Sequence, residues 1–82
     1  MAKHYDDREI EQRIDQIQSD CDRISAEARN TLHACRKDHP LGRGKDRTDL
    51  FRSAAFVLSG RCATVHLIWL NEVANQFHPE RV

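Results

Sequence analysis

The stretch HPLGRGKDRTD, residues 39–49, concentrates residue types that bind anions. It holds two glycines and three cations: Gly42, Gly44, Arg43, Lys45 and Arg47. Backbone amides freed by glycine and the forked guanidinium group both fit phosphate or carboxylate oxygens. A nucleotide-hydrolase loop would have four residues between its glycines and Ser or Thr after the lysine, which this stretch lacks. We therefore predict a loop that binds an anion or a partner, with a solvated hinge as the alternative.

Cysteine and histidine offer a second kind of chemistry. Cys62 and His66 are four residues apart on one helix flank, and Cys21 falls opposite them in an antiparallel hairpin. Three such side chains could begin a zinc site. However, Cys21, Cys35 and Cys62 all occupy apolar positions, where cysteine behaves as a small hydrophobe, and no fourth ligand is evident. We expect three reduced structural cysteines and no metal.

Catalytic groups are not arranged for acid–base or nucleophilic work. The acidic residues of the first half follow the outer face of a predicted helix, and Ser53, Ser59 and His66 lie between apolar stripes. A catalytic site needs such groups inside a pocket, and a two-helix hairpin encloses little volume. We therefore expect a protein that is not an enzyme and that uses no cofactor.

The first half of the chain follows a heptad pattern. Apolar positions recur at alternating steps of four and three, with Thr31 in one slot: Ile10, Ile14, Ile17, Cys21, Ile24, Ala28 and Cys35. Such a seam predicts one amphipathic helix over about residues 6–37. Pro40 and the glycines then predict a loop over about 38–47.

The second half predicts another long helix, over about 48–77, because Pro79 disfavours helix from residue 78 onward. Two helices of similar length around a short connection predict an all-α antiparallel hairpin. We assign residues 1–82 to one domain. The main apolar face of the second predicted helix includes Val65, Ile68 and Trp69.

The second helix also carries another apolar stripe, which a single partner helix cannot cover: Phe56, Ala63, Leu67, Leu70 and Ala74. A helix that is apolar on two sides must be buried on two sides. We predict that this stripe is an oligomer interface, through which two hairpins form a four-helix bundle or a higher helical oligomer.

Charge is balanced in total but divided along the chain. The chain has 13 basic and 13 acidic residues; residues 6–29 hold eight acids and four arginines, and residues 30–61 hold seven bases and three acids. The neutral total disfavours a dedicated nucleic-acid binder. The division permits opposite-charge contacts between the halves. A charged N-terminus and short apolar runs predict a cytoplasmic protein without a membrane span.

These patterns favour a small non-enzymatic binding protein. The first hypothesis is a self-associating protein–protein interaction module such as an inhibitor, antagonist or adaptor. The second is an oligomeric sponge that sequesters a small anionic ligand, such as a nucleotide, with the basic loop. Weak nucleic-acid binding is a third hypothesis.

Overall fold

A computed structural model describes residues 4–21 and 24–77, which form α-helices and no strand. The all-α fold class is confirmed. The helices are α1 (Asp7–Asp20), α2 (Ala26–Ala34), α3 (Arg47–Leu58) and α4 (Thr64–Phe77), with a short 3-10 turn at Pro40–Gly42 between α2 and α3.

The expected pair of long helices is wrong, because each is interrupted near its middle. After α1 ends at Asp20, Ser25 starts α2 as an N-cap whose side chain accepts a hydrogen bond from the Ala28 amide. After α3 ends at Leu58, Gly60 adopts a φ of 79°, a left-handed conformation that terminates a helix. Helices of 30 residues would be about 45 Å long, whereas the longest dimension of the described chain is 37 Å.

The apolar periodicity nevertheless identifies the buried residues of the first half. Ile10, Ile14 and Ile17 of α1 are fully buried, and Ala28 of α2 is fully buried beyond the break. Local caps decide where a helix ends, and burial of every third or fourth residue carries no information about continuity. The pattern was therefore right about the core and wrong about the number of helices.

The core lies between α3 and α4, with α1 and α2 packed onto it. Phe51 contacts Trp69 edge-to-face at 6.2 Å between ring centroids, and it stacks on Phe77 at 5.7 Å. The hydroxyl of Thr48 donates to the carbonyl of Ala74, so the start of α3 lies against the end of α4. The two helices are therefore antiparallel.

Close packing also explains one loop glycine. A Cβ atom at Gly42 would collide with the carbonyl oxygen of Ala34 at the end of α2. Gly42 is therefore required for the approach of the 3-10 turn to α2, rather than for presenting amides to a ligand. Gly44, with a φ of 78° and open space around it, supplies the left-handed turn that leads to α3.

A disulfide joins the two interruptions. Cys21 directly follows α1, Cys62 lies between α3 and α4, and their Cα atoms are 5.6 Å apart, within the range that a disulfide spans. The expectation of reduced cysteines is wrong for this pair, because both helices break where the two residues meet. It is confirmed for Cys35, a buried free thiol whose pKa burial raises to about 12.

A polar contact lies beside the disulfide. Nε2 of His66, in the first turn of α4, donates to a carboxylate oxygen of Asp20 at 2.9 Å. The His66 side chain is buried, whereas Asp20 remains half-exposed. The chain at the end of α1 is thus joined twice to the chain around the start of α4, by Cys21–Cys62 and by Asp20–His66. This end of the molecule has two corners between helices: Cys21, Ile24 and Ser25 belong to corner 1, and residues 59–63 form corner 2.

We predict that reducing the disulfide lowers the free energy of unfolding by about 4 kcal/mol, since the bond closes a long loop in the unfolded chain. The cysteines are 41 residues apart in sequence. Urea denaturation of the same protein with and without reductant measures the difference without changing a side chain. Equal stability in the two conditions, with three reactive thiols before reductant is added, would contradict the disulfide.

Candidate functional site

The basic loop lies at one end of the molecule, beside a concavity of about 480 Å³. Five residues that carry or can acquire positive charge line it, together with the acid Asp38: Arg36, Lys37, His39, Arg43 and Arg47. The structure brings together Arg43 and Arg47 of the predicted loop, and Gly42 and Gly44 also line the concavity. Lys45 faces a different depression, beside Asp46 and Asp49 of the α3 N-terminus.

An acidic face of α1 holds three of these cations. Arg36 donates to Glu11 at 2.7 Å and also contacts Asp15. Lys37 reaches Asp7 at 3.2 Å, and this hydrogen bond is the main reason that the pKa of Asp7 lies below its ordinary value of 3.8. The expected opposite-charge contacts between the halves are confirmed. They anchor α1 to the segment after α2, and they reduce the charge available to a ligand.

Arg47 is part of the folded framework. Its guanidinium lies 4.2 Å from the ring centroid of Phe77, a cation–π contact, and it donates to the Cys35 carbonyl at 3.3 Å. It also lies 3.5 Å from Asp7. Because Arg47 joins α1, the end of α2 and the end of α4, it belongs to the core margin and is not a free loop cation.

Arg43 and Lys45 differ from the other cations. Both are exposed, and their side chains have no hydrogen-bond or ion-pair partner among the residues that the structure describes. Removal of either charge leaves no described carboxylate unpaired. These two residues are the members of the predicted loop that remain available to an anion or a partner.

His33 lies in a hydrogen-bond chain behind the concavity. Gln18 accepts from Arg36 through its side-chain oxygen at 2.8 Å, which leaves its amide nitrogen to donate to Nε2 of His33 at 3.1 Å. This arrangement fits the neutral ring. The pKa of His33 lies below its ordinary 6.5 because of burial, followed by the positive charges of Arg36, His39 and Arg29.

The predicted oligomer stripe is not continuous in the structure. Leu70 and Ala74 are fully buried within the chain, and Leu67 is half-buried, whereas Phe56 and Ala63 are exposed. The spacing from Phe56 to Ala63 assumed one uninterrupted helix. Corner 2 changes the phase between α3 and α4, so the positions before and after it no longer share a face.

Two apolar side chains outside that stripe, Val65 and Ile68, are exposed together with Phe56. Phe56 is 81% exposed, and Val65 and Ile68, which the sequence placed in the core, are 55% and 54% exposed. We refer to Phe56, Val65 and Ile68 as the α3–α4 patch. Gly60 was the available signal, because a glycine within an apolar pattern can end the helix and reset its phase.

Helix register places the patch residues on one side of the molecule. Arg52 of α3 donates to Asn75 of α4 at 3.0 Å, so these two exposed faces adjoin. Phe56 is one turn after Arg52, and Ile68 is two turns before Asn75, on those same faces. In an antiparallel pair this register sets Phe56 opposite the Asn71 turn of α4, one turn from Ile68, and Val65 precedes Ile68 by three residues.

We predict that lowering the pH from 7.5 to 5.5 destabilises the protein partly through His33. Because its folded pKa is depressed, the unfolded state binds the proton more readily; the His33 contribution is complete above about 6.5 and declines below it. His33→Gln should reduce the slope of Tm against pH in this interval, measured by circular dichroism. An unchanged slope would contradict the role assigned to His33.

We also predict that the loop cations differ in how much they contribute to the free energy of unfolding. Arg47→Ala should lower the free energy of unfolding by about 1–3 kcal/mol, since it removes a cation–π contact and a charge-assisted hydrogen bond. The double variant Arg43→Ala/Lys45→Ala should change it by less than about 0.5 kcal/mol. Urea denaturation of both variants tests the division, and equal effects would show that Arg47 is not structural.

Comparison of the chain with models of known protein families, with curated proteins and with solved structures found no match. None of the described helices has the length and apolar character needed to cross a lipid bilayer. Two surfaces of the molecule are candidates for binding: the α3–α4 patch and the basic concavity.

Proposed function

We propose that this protein is a small non-enzymatic interaction module that self-associates through the α3–α4 patch. The observation that carries the proposal is the exposure of Phe56, Val65 and Ile68 on neighbouring turns of two packed helices. Scattered exposed apolar residues are common, but a cluster that includes a phenylalanine is typical of an interface. Phenylalanine is also enriched at the centres of interfaces.

A second copy of this chain suits the patch because α4, which carries two of its three residues, is almost uncharged. Apart from His66, α4 contains one ionisable residue, Glu72, and its exposed polar positions include Asn71 and Asn75. A two-fold interface sets each patch against its own copy, so a strongly charged face would repel itself. The acidic outer face of α1 has that disadvantage, whereas the α4 face does not.

Two such patches would bring α3 and α4 of one copy against those of another. The result is a four-helix arrangement at the interface, a finer form of the assembly expected from the sequence. Two phenylalanines, two valines and two isoleucines would lose solvent contact. Full burial of each such side chain contributes roughly 1.5–3 kcal/mol before the cost of association. The charged outside of α1 would remain available to another protein, as an inhibitor, antagonist or adaptor requires.

We predict that the wild type is a dimer or higher oligomer at high micromolar concentration and that Phe56→Glu is a monomer. A carboxylate buried at the interface would lack a partner. Because Phe56 is 81% exposed in the single chain, the substitution should leave helicity and the stability of the monomer almost unchanged. Analytical ultracentrifugation over a concentration series provides the measurement.

Leu41→Glu is the matched control. Leu41 is 44% exposed and lies in the 3-10 turn, outside the α3–α4 patch, so its substitution adds the same charge without affecting association. A wild type that is monomeric throughout the concentration series would overturn self-association. If oligomers persist in Phe56→Glu but disappear in Leu41→Glu, the interface lies at the loop end of the molecule and not at the α3–α4 patch.

The second candidate function is sequestration of a small anion, such as a nucleotide, at the basic concavity. The unpaired cations Arg43 and Lys45, near the concavity of about 480 Å³, favour it. Arg43 lines this concavity, and its neighbours Arg36, Lys37 and Arg47 would supply further positive potential despite their acidic partners. Weak nucleic-acid binding would use the same cations. Both would operate in the cytoplasm, which we retain as the proposed location.

Thermal-shift measurements with mononucleotides, dinucleotides and a short single-stranded oligonucleotide test this candidate. A ligand bound only by the folded state raises Tm. Arg43→Ala/Lys45→Ala should weaken any such binding at least about tenfold, since a charge-assisted contact contributes about 1.5–3 kcal/mol. Arg8→Ala/Arg29→Ala removes two exposed charges elsewhere and should not. Equal loss in both variants would indicate only non-specific charge attraction.

A further inference from the structure

We propose that the Cys21–Cys62 disulfide is a reducible clamp that a small-molecule thiol opens at the sulfur of Cys62. Opening would release corner 2 and thereby change the relative orientation of α3 and α4, the two helices that carry the α3–α4 patch. The statement about the patch rests on the proposed function. The clamp and its site of attack rest on the disulfide and its surroundings alone.

The two cysteines of the disulfide differ in solvent exposure. Cys21 is 3% exposed, whereas Cys62 is partly exposed in a corner whose other residues, 59–61 and 63, are all exposed. Thiol–disulfide exchange requires the attacking thiolate to reach one sulfur. A thiolate from solvent therefore reaches Cys62 first, and the buried Cys21 sulfur is the leaving group.

The exchange balances with two equivalents of a monothiol such as glutathione. The first thiolate forms a bond to the Cys62 sulfur as the Cys21–Cys62 bond breaks, and Cys21 leaves as a thiolate that takes up a proton. The second thiolate attacks the glutathione sulfur of this mixed disulfide and releases Cys62 as a thiolate, which is then protonated. The protein gains two thiols, and two glutathione molecules become one glutathione disulfide.

Among the residues that the structure describes, two polar contacts lie beside the disulfide at this end of the molecule. Nη1 of Arg61 donates to the Ser25 hydroxyl at 3.3 Å in an exposed position. The hydrogen bond from His66 to Asp20 ends on a half-exposed carboxylate. The exposed Arg61 contact contributes little, and the part-buried His66–Asp20 contact joins α4 to α1 outside the two corners. The covalent bond is therefore the main constraint on corner 2. Once it is broken, residues 59–63 are held mainly by the ends of α3 and α4.

The corner also determines the geometry of the patch. Phe56 lies in the last turn of α3, three residues before the corner, and Val65 is the second residue of α4. Their side chains therefore depend on how α3 and α4 meet. Reduction would loosen that junction, and the proposed self-association would respond to the thiol concentration around the protein.

A matched pair of variants tests the site of attack. Cys21→Ser leaves Cys62 as a thiol, and Cys62→Ser leaves Cys21. We expect glutathione disulfide to modify Cys62 at least about tenfold faster than Cys21, because access governs the rate. Mass spectrometry follows each adduct, and circular dichroism verifies that both variants are folded. Equal rates, or faster modification of Cys21, would overturn the assignment of Cys62 as the reactive sulfur.

The oxidised parent provides a test that needs no folded variant. Briefly treated with reduced glutathione and quenched with acid, it should yield a mixed disulfide at Cys62, identified by peptide mapping. Adducts mainly at Cys21 would overturn the proposal. So would the absence of any adduct when the cross-link persists at millimolar glutathione.

Limited digestion with trypsin tests the release of corner 2. Reduction should raise the cleavage rate after Arg61 by about tenfold, since local opening exposes the backbone to the protease. Cleavage after Arg43, in the exposed loop at the other end, should change little and serves as the control. The digestion is run under conditions in which the reduced protein remains folded by circular dichroism; equal acceleration at both sites would then mean that cleavage proceeds through global unfolding and would overturn a local clamp.

Sedimentation of the oxidised and reduced protein tests the consequence for the patch. Weaker self-association after reduction would support the coupling, and identical association in both states would overturn it. A parent that never self-associates would refute the proposed function instead, while the mass-spectrometric and trypsin results would still decide whether Cys21–Cys62 is a clamp.

Discussion

The covalent bond between Cys21 and Cys62 joins the end of α1 to the connection between α3 and α4. Ser25 and Gly60 explain why the helices stop there, but two interrupted helices have many possible relative arrangements. The cross-link limits them by holding corner 1 against corner 2. A chain of 82 residues has a thin core, and in small domains a covalent bond commonly supplies stability that burial alone does not. The packing of α3 on α4 then completes the fold.

Electrostatic pairing organises the opposite end of the molecule. The acids Asp7, Glu11 and Asp15 recur at helical spacing on α1, and each contacts a cation from the segment after α2 or from the start of α3. This pairing divides the basic residues by role: some hold α1 in place, and Arg43 and Lys45 remain for solvent or a ligand. The two ends thus differ in character. A covalent junction restrains one end near the α3–α4 patch, and an ion-pair network with two unpaired cations forms the other.

Several features of this fold could be predicted from the sequence. The recurrence of Ile10, Ile14 and Ile17 identified a buried seam, and the division of charge anticipated the contacts of α1 with the basic segment. The helix breaks were missed because Ser25 and Gly60 act through local caps that apolar periodicity does not register. The disulfide was missed for a related reason: in continuous helices, cysteines at apolar positions would be core residues. Val65 and Ile68 were assigned to the core because the phase across corner 2 was assumed to be continuous. Arg47 appeared to be a loop cation, since its contact with Phe77 depends on tertiary packing alone.

The α3–α4 patch and the clamp both follow from the two corners that divide the chain into four short helices. Cα chemical shifts of isotopically labelled protein under non-reducing conditions report helix residue by residue. We predict helical shifts over Asp7–Asp20, Ala26–Ala34, Arg47–Leu58 and Thr64–Phe77. Those shifts should be interrupted at Cys21 and across residues 59–63. Uninterrupted helical shifts over residues 6–37 and 48–77 would contradict the account and restore the two-helix hairpin.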